Sequence, residues 1–422
     1  MYKKTTLDNG LRIITYPMKK MQSVAIGIWI KVGGRNESRE NKGIAHYLEH
    51  LTFKGSRRYS CRKIKESIEG VGGSLNGFTS EELTCYLVKL PYRHLGLALD
   101  ILCDMSVNSL LLPDEIRKER TVILEEIKMY KDLPQSYVHE LLDELLWPDQ
   151  PLGMPIAGTS ESVKRINKEK LDSFKKHYYA PSNMVISAAG LLKHDKLVGG
   201  VRDIFSRLKR KDVNEFLPVR ESQRRPQLKL LHKDTEQTHL ALGFHSVKRS
   251  DPARYDQTLL HIILGANMSS RLFNEVREKR GLAYEIGTQA KYFKDTGAFI
   301  VHAGIDNRKV EDSLGLILKE LGKIRRELVS RDEFRRAKEF YLGQLALSLE
   351  ETLDHMLWLG ESISTLDEVH SLKDTINKVN KISREDIRAA AGRIFREENM
   401  NLAVIGPLKS IKNNIYERLR LN

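Results

Sequence analysis

The most chemically informative residues of this sequence are two histidines and a glutamate in the five-residue segment HYLEH. His46 and His50 are four positions apart, and Glu49 precedes the second histidine. In a helix with 3.6 residues per turn, the two imidazoles lie one above the other and the carboxylate projects beside them. Two imidazoles can bind a zinc ion, and the carboxylate can accept a proton from water. The spacing predicts a metal-dependent hydrolytic site; the alternative is two core or surface histidines that happen to be four positions apart.

A hydrolytic zinc site has three protein ligands, so a third must come from elsewhere in the chain. The segment after Pro113 reads as a helix that is rich in glutamate, with Asp114 as its predicted N-cap. Glu119 and Glu126 are seven positions apart and share one face, whereas Glu125 is turned away by roughly 100°. We predict that Glu126 is the third ligand and that Glu119 orients a ligand imidazole or its helix. For any one of these glutamates alone, the alternative is a solvated helix face.

These assignments imply a reaction mechanism. Zinc lowers the pKa of a water ligand to about 7 and polarises a scissile carbonyl group. Glu49 is expected to accept the proton of the attacking water and then to pass it to the leaving amine. The predicted chemistry is therefore hydrolysis of a peptide bond.

Length and composition limit the class of protein. The chain has 422 residues, of which 41% are hydrophobic and 30% charged, which suits a soluble globular protein with two domains of about 200 residues each. The first residues contain no apolar run of signal-peptide length, and no later stretch approaches the roughly 18 apolar residues of a membrane span. We therefore expect a cytoplasmic protein without a membrane partner.

The charge and the cysteines indicate no further function. The net charge of +14 comes from basic residues that are dispersed among 56 acidic ones, so a solvated basic surface is expected and nucleic acid is not an expected partner. A nucleic-acid-binding protein remains a third interpretation that rests on charge alone. Cys61, Cys85 and Cys103 form no CxxC pair and are expected to be small buried hydrophobes.

An internal repeat indicates two similar domains in tandem. Residues 167–190 align without a gap on residues 383–406, an offset of 216 (383 − 167). Each copy reads as an N-cap, an amphipathic helix, a short polar turn and an apolar strand that ends in glycine. At the same offset, the three residues of the metal motif fall on Ile262, Gly265 and Ala266. The second half is therefore expected to share the architecture without a metal site.

These patterns predict an α+β fold. Strand-like runs at residues 11–16, 24–32, 228–231 and 239–244 precede long amphipathic helices. A polar stretch with two prolines separates the halves and is the predicted linker. The predicted organisation is an N-terminal catalytic zinc-binding domain at residues 1–208, a linker at 209–227, and a homologous C-terminal domain without a metal site at 228–422.

Several motifs together resemble one family. They are LDNGLRI, HYLEHLTFKG, GGSLNGFTSEELTCY, ERTVILEEI, YYAPSNMV and SSRLFNEVREKRGLAYEI, and they span almost the whole chain. The sequence is similar to the M16 family of zinc metallopeptidases, which are inverzincins with an HxxEH motif. Its length resembles the shorter bacterial, processing-peptidase-like type, M16B. The resemblance implies two tandem homologous α/β-sandwich domains of the LuxS and mitochondrial processing peptidase-like metallohydrolase type.

The resemblance also implies roles for individual residues. It places zinc on His46, His50 and Glu126, with Glu49 as the base and Glu119 behind the site. It makes residues 72–79 an edge strand to which an extended peptide adds, so the implied substrate-binding residues are Gly73, Ser74, Leu75, Asn76 and Gly77. From local sequence alone, Asn76-Gly77 fits a tight hairpin turn equally well. In the second half, Arg277 and Tyr284 match an arginine and a tyrosine that the family uses to bind substrate or to stabilise the transition state; from the sequence alone they would be an exposed helix arginine and a core tyrosine.

The family architecture implies an assembly. It suggests one Zn2+ per chain and a homodimer that closes as a chamber, in which Arg277 and Tyr284 act in trans at the site of the other chain. The expected substrates are short unfolded peptides, because only an extended segment can reach the edge strand. The alternative is a noncatalytic structural or assembly subunit of the same fold. Such subunits typically lose the metal motif, which is complete in this sequence.

Overall fold

The computed structural model describes residues 2–407 and 415–421. The chain forms two compact units, each assembled from three segments. The first unit contains Met1–Lys128, Met154–Leu217 and Ala346–Val369. The second unit contains Met129–Gly153, Pro218–Leu345 and His370–Asn422. In the part of the chain that is described, no helix is both long and apolar enough to cross a bilayer.

The strands divide between two sheets. They are β1 (Lys3–Thr6), β2 (Arg12–Pro17), β3 (Ser23–Ile30), β4 (Ser74–Thr79), β5 (Thr84–Pro91), β6 (Met184–Gly190), β7 (Gln227–His232), β8 (Gln237–Ser246), β9 (Ala283–Tyr292), β10 (Gly297–Asp306) and β11 (Asn401–Gly406). The four runs that the sequence predicted as strands correspond to β2, β3, β7 and β8.

The helices are spread along the whole chain. They are α1 (Ile44–Thr52), α2 (Cys61–Glu69), α3 (Leu95–Asn108), α4 (Pro113–Asp132), α5 (Pro134–Leu146), α6 (Ser160–Arg165), α7 (Lys168–Tyr178), α8 (His194–Phe205), α9 (Arg254–Leu264), α10 (Val310–Arg326), α11 (Arg331–Ser348), α12 (Thr352–Leu366), α13 (Leu372–Lys381) and α14 (Arg384–Ile394). A π-helical segment covers Phe273–Glu278. The mixture of helices and sheets is the predicted α+β class.

A six-stranded sheet in the order β1-β2-β6-β3-β5-β4 forms the centre of the first unit. β2 and β6 are parallel, and the other neighbours are antiparallel. Helices α2, α3 and α8 pack against one face, and α12 covers the other through Met356 and Leu359. Gly360 permits the close approach of α12, since a Cβ there would lie 2.0 Å from Nε1 of Trp29. The order leaves β4 at one edge of the sheet.

The second unit repeats this arrangement with five strands in the order β7-β11-β8-β10-β9. β7 and β11 are parallel, as are β2 and β6 in the first sheet. Helices α9, α10 and α14 pack on one face, and α5 covers the other through Leu141 and Leu142. Each strand of this sheet corresponds in turn to a strand of the first sheet, in the order β2-β6-β3-β5-β4. The structure thus shows the duplication that the sequence repeat predicted.

The two copies of the repeat agree in their local details. Asn167 caps α7 by accepting a hydrogen bond from the backbone N–H of Lys170, and Ser383 caps α14 through the N–H of Asp386. Each helix leads through a short 3-10 turn into β6 or β11. The predicted N-caps of both copies are therefore confirmed.

The boundaries of the units differ from the contiguous domains 1–208 and 228–422. Residues 129–153, with α5, belong to the second unit, and residues 346–369, with α12, belong to the first. The predicted linker 209–227 does contain the division between Leu217 and Pro218, and residues 209–226 have no helix or strand. An amphipathic pattern shows that a helix has an apolar face but not which sheet that face covers. The sequence therefore could not show that α5, from the first half of the chain, belongs to the second unit, or that α12, from the second half, belongs to the first.

The cysteines are all free. Cys85 and Cys103 are buried, as expected for small hydrophobes. Cys61 is only half-buried, because it is the first residue of α2 at the surface of the unit. That expectation therefore holds for two of the three.

Candidate metal centre

The start of α1, the helix that carries the HxxEH motif, is fixed by buried contacts. Gly43 precedes it with a φ of +93°, and a Cβ there would lie 2.6 Å from the carbonyl oxygen of Ala157, so only glycine fits. The carboxylate of Glu37 accepts hydrogen bonds from the backbone N–H groups of Gly43 (2.9 Å) and Ala45 (2.8 Å). Lys42 lies 3.3 Å from Glu37, and both side chains are buried. These contacts define the position of α1.

Helix α4 supplies the third predicted ligand and packs directly on α1. It begins at Pro113, one residue before the predicted N-cap Asp114. Proline is favoured at the first helical position because the N–H group that it lacks would have no partner within the helix there. Asp114 instead lies in the first turn and accepts a hydrogen bond from Arg117. The hydroxyl of Tyr47 on α1 donates to the carbonyl oxygen of Ile116 on α4. The apolar contact between the two helices is formed by Ile44, Tyr47, Leu48, Leu51, Ile116, Ile123 and Ile127.

The packing brings His46, His50 and Glu126 together. Nε2 of His46 lies 3.8 Å from one oxygen of Glu126, and Nε2 of His50 lies 3.7 Å from the other. One donor atom from each residue lies within 4.8 Å of the other two, and no other such group of three exists within residues 2–407 and 415–421. Ligand atoms around tetrahedral zinc are about 3.3 Å apart. Two imidazoles and a carboxylate are ligands that zinc accepts, and their donor atoms lie close enough together for small side-chain rotations to bring them to the separations that zinc requires.

The surroundings of Glu126 and of its neighbour Glu125 favour Glu126 as the predicted third ligand. Glu125 forms an ion pair with Lys128 at 2.7 Å, and its side chain is 64% exposed. Glu126 is 24% exposed and faces the two histidines. Adjacent helix positions point about 100° apart, so only one of the two carboxylates can reach the imidazoles.

Both imidazoles sit in surroundings that suit metal ligation. Burial, with a smaller contribution from His50, lowers the pKa of His46 to about 3, so this ring is neutral at physiological pH. Nδ1 of His50 lies 3.2 Å from an oxygen of Glu119, a side chain that is 6% exposed. If Nδ1 carries the proton, Nε2 is left with a lone pair for a metal. Glu119 therefore lies where it can orient the ring of His50.

Glu49 lies near the three predicted ligands but does not belong to that group of donor atoms. Thr79 donates a hydrogen bond of 3.0 Å to one of its carboxylate oxygens. Burial raises the pKa of Glu49, as does the charge of Glu126, while the Thr79 hydrogen bond and His50 act in the opposite direction. A carboxylate with a raised pKa accepts a proton more readily than an ordinary glutamate at neutral pH.

The predicted substrate-binding segment is an edge strand and not a turn. β4 pairs with β5 alone, with Asn76 opposite Leu87 and Gly77 opposite Tyr86. Gly73 lies just before β4, and Ser74, Leu75, Asn76 and Gly77 form its first four positions. Glycine is favoured at position 77 because the Cβ of any other residue would lie only 2.8 Å from the ring of Phe53 and would clash with it. The strand ends at Thr79, which binds Glu49.

Arg277 and Tyr284 lie in the second unit. Arg277 belongs to the π-helical segment Phe273–Glu278, and its guanidinium lies 5.3 Å from the ring centre of Tyr284 and 4.8 Å from that of Phe273. Tyr284 is 74% exposed on β9. The two residues predicted to act together are therefore in contact with each other.

Three residues around the centre were not assigned from the sequence. Thr79 binds Glu49, Lys54 lies 2.6 Å from Glu119, and Glu37 caps α1. Lys54 could have been found from its place four positions after His50 near the end of α1, since such residues share a helix face. Nothing in the sequence indicates the contacts of Glu37, which depend on the path of the preceding loop.

Two family models match most of the chain. The model described as Insulinase (Peptidase family M16) matches residues 12–160, which include all the residues of the metal centre. The model described as Peptidase M16 inactive domain matches residues 165–341. The second match agrees with the absence of an HxxEH motif from the second half.

Individual relatives match over nearly their full length. The chain is 37% identical over 416 residues to an uncharacterized zinc protease of Streptomyces coelicolor, covering 96% of this chain and 90% of that protein. It is 36% identical over 407 residues to an uncharacterized zinc protease of Bacillus subtilis, covering 96% and 98%. A crystal structure of a protease from Helicobacter pylori shares the fold with a TM-score of 0.92 at 23% identity, covering 96% of this chain and all of that one.

Proposed function

The chain belongs to the M16 family of peptidases, and on that basis we propose that it is a zinc-dependent endopeptidase that hydrolyses short unfolded peptides. The observation that carries the proposal is the convergence of His46, His50 and Glu126 with Glu49 beside them. The curated relatives carry the name zinc protease. One zinc ion per chain matches the one donor set of this kind in residues 2–407 and 415–421.

His46, His50 and Glu126 would hold the ion. When bound, zinc supplies a Lewis acid that polarises a carbonyl oxygen and acidifies water. Glu49 is the general base: the carboxylate oxygen that Thr79 does not bind is free to accept a proton from the attacking water. The same carboxyl group then donates the proton to the departing amine, which completes hydrolysis without a covalent intermediate on the protein.

The edge strand β4 supplies the binding surface for the substrate. Its outer backbone groups have no strand partner in the described structure and can pair with an extended peptide. Gly73, Ser74, Leu75, Asn76 and Gly77 then contact the substrate backbone and the side chains next to the scissile bond. Because Thr79 ends this strand and binds Glu49, the strand that takes up the peptide also orients the base. A folded protein presents few extended segments, so unfolded peptides are favoured.

The direct test is digestion of a quenched fluorescent peptide library. The wild-type protein is expected to cleave the peptides, to lose this activity when a chelator removes the metal, and to recover it when zinc is added back. A protein that binds zinc but cleaves nothing in the library would favour the alternative, a noncatalytic structural or assembly subunit. Cleavage that persists in the metal-free protein would contradict the assigned mechanism.

We further propose that two copies of the chain form a closed chamber in which Arg277 and Tyr284 act at the partner's zinc site. The support is that the two residues are in contact, and that Tyr284 is exposed and so accessible to a substrate. A cationic guanidinium and a phenol are groups that can stabilise the developing negative charge of the transition state.

Mixing two inactive variants tests this arrangement. Glu49→Gln and Tyr284→Phe are each expected to be inactive alone. After subunit exchange, about a quarter of the wild-type activity should return, because half of the dimers are mixed and each has one intact site of two. If the pair acts within its own chain, mixing restores nothing. A strict monomer by gel filtration that retains peptidase activity would also overturn the dimer.

A further inference from the structure

A lysine outside the HxxEH motif contacts the group that supports the metal centre. Nζ of Lys54 lies 2.6 Å from Oε1 of Glu119, while Oε2 of the same carboxylate lies 3.2 Å from Nδ1 of His50. The side chain of Glu119 is 6% exposed and that of Lys54 is 26% exposed. Each oxygen of one buried carboxylate therefore faces a different partner, and the three side chains form a continuous chain of contacts.

We propose that Lys54 is a positioning residue of the metal centre: it holds Glu119 in the orientation that fixes the His50 ring with Nε2 towards the metal. The inference rests on the proposed zinc site and extends it to Lys54, which is not one of the predicted ligands and whose contact is with Glu119. Lys54 follows the last turn of α1, where its backbone N–H donates to the carbonyl oxygen of Leu51 at 3.0 Å. Its backbone is thus held by the same segment that presents His50.

The geometry explains why Glu119 needs a second partner. A buried carboxylate loses its hydration, and a single contact of 3.2 Å to an imidazole nitrogen compensates for only part of that loss. The short contact to an ammonium group is charge-assisted and considerably stronger. It also restricts rotation of the carboxylate, so that Oε2 remains directed at Nδ1 of His50. Without Lys54, the carboxylate can turn towards solvent and release the ring.

Two physical effects of Lys54 on zinc binding have opposite signs. A positive charge near a divalent cation repels it, so simple electrostatics predicts that removing the lysine tightens zinc binding. A positioning role predicts that removing the lysine weakens zinc binding, since outer groups that orient ligands contribute about 10- to 100-fold to metal affinity. The direction of the change therefore distinguishes a positioning lysine from a nearby surface charge.

The experiment measures zinc affinity by competition with a chromogenic chelator, on full-length protein. Lys54→Met is expected to weaken zinc binding by about 10-fold or more. Lys54→Arg keeps the positive charge and is expected to retain most of the wild-type affinity. Lys128→Met is the matched control, because Lys128 is an exposed cation on α4 that pairs with Glu125 and not with Glu119. This control should bind zinc like the wild type. Thermal unfolding of the metal-free proteins establishes that each variant is folded.

A double-mutant cycle tests whether Lys54 acts through Glu119. In a Glu119→Gln background, Lys54→Met should cause little additional loss, because the carboxylate that it orients is already gone. A full additional loss in that background, or unchanged or tighter zinc binding by Lys54→Met alone, would overturn the inference. If the wild type itself binds no zinc, the proposed function fails; if the wild type binds zinc and Lys54→Met does so equally, only the role of Lys54 fails.

Discussion

Replacing Glu49 with glutamine is expected to abolish peptidase activity and leave zinc binding intact. The amide has the shape of the carboxylate, and its oxygen can still accept the hydrogen bond from Thr79. It cannot accept a proton from water, so the general-base contribution, about 100- to 10 000-fold in rate, is lost. The measurement is turnover of a quenched peptide by the purified variant, together with its zinc content.

The two readouts separate catalysis from metal binding. Loss of turnover with one zinc per chain retained supports Glu49 as the base. Turnover equal to that of the wild type would show that another group accepts the proton. Loss of both zinc and turnover would show that Glu49 is needed to bind the metal. We do not expect this result, because His46, His50 and Glu126 lie close enough together to bind the ion without Glu49.

Replacing Glu126 with glutamine is expected to remove the metal. The amide oxygen is a weaker, uncharged donor to zinc, and the site is left with two imidazoles, fewer than the three protein ligands of hydrolytic zinc centres. Zinc affinity should fall by more than the roughly 10- to 100-fold typical of an outer group, and peptidase activity should fall with it.

The neighbouring residue supplies the control for Glu126. Glu125→Gln removes the same charge one position away on α4, but that side chain is exposed and pairs with Lys128. This variant should keep its zinc and its activity. If Glu125→Gln loses zinc while Glu126→Gln keeps it, α4 presents the other carboxylate and the assigned donor set is wrong. Competition with a chelator measures both variants on one scale.

The sequence predicted the parts of the site that depend on helical spacing. His46 and His50 lie on one face because they are four residues apart, and Glu119 and Glu126 do so because they are seven apart. The matching copies of the repeat, with N-caps at Asn167 and Ser383, likewise follow from local rules. For the site residues this information lies within two turns of one helix, and for the N-caps it lies within the first turn.

The features that depend on contacts between distant segments were not predictable. The exchange of α5 and α12 between the units, and the contacts of Glu37 with the start of α1, depend on the path of the whole chain. For Asn76-Gly77, local sequence allowed a turn or a strand equally, and pairing with β5 determines the strand. The prediction of Asp114 as the N-cap was wrong for a local reason, since the preceding Pro113 already begins the helix.

The proposed function requires that two imidazoles from α1 and one carboxylate from α4 bind a single zinc ion. Anomalous diffraction at the zinc absorption edge, from crystals of the zinc-loaded protein, tests it directly. We expect one peak within about 2.0–2.2 Å of Nε2 of His46, Nε2 of His50 and an oxygen of Glu126, with Glu49 nearby but not coordinating. A peak elsewhere in the chain, or these three side chains turned away from a common centre, would contradict it.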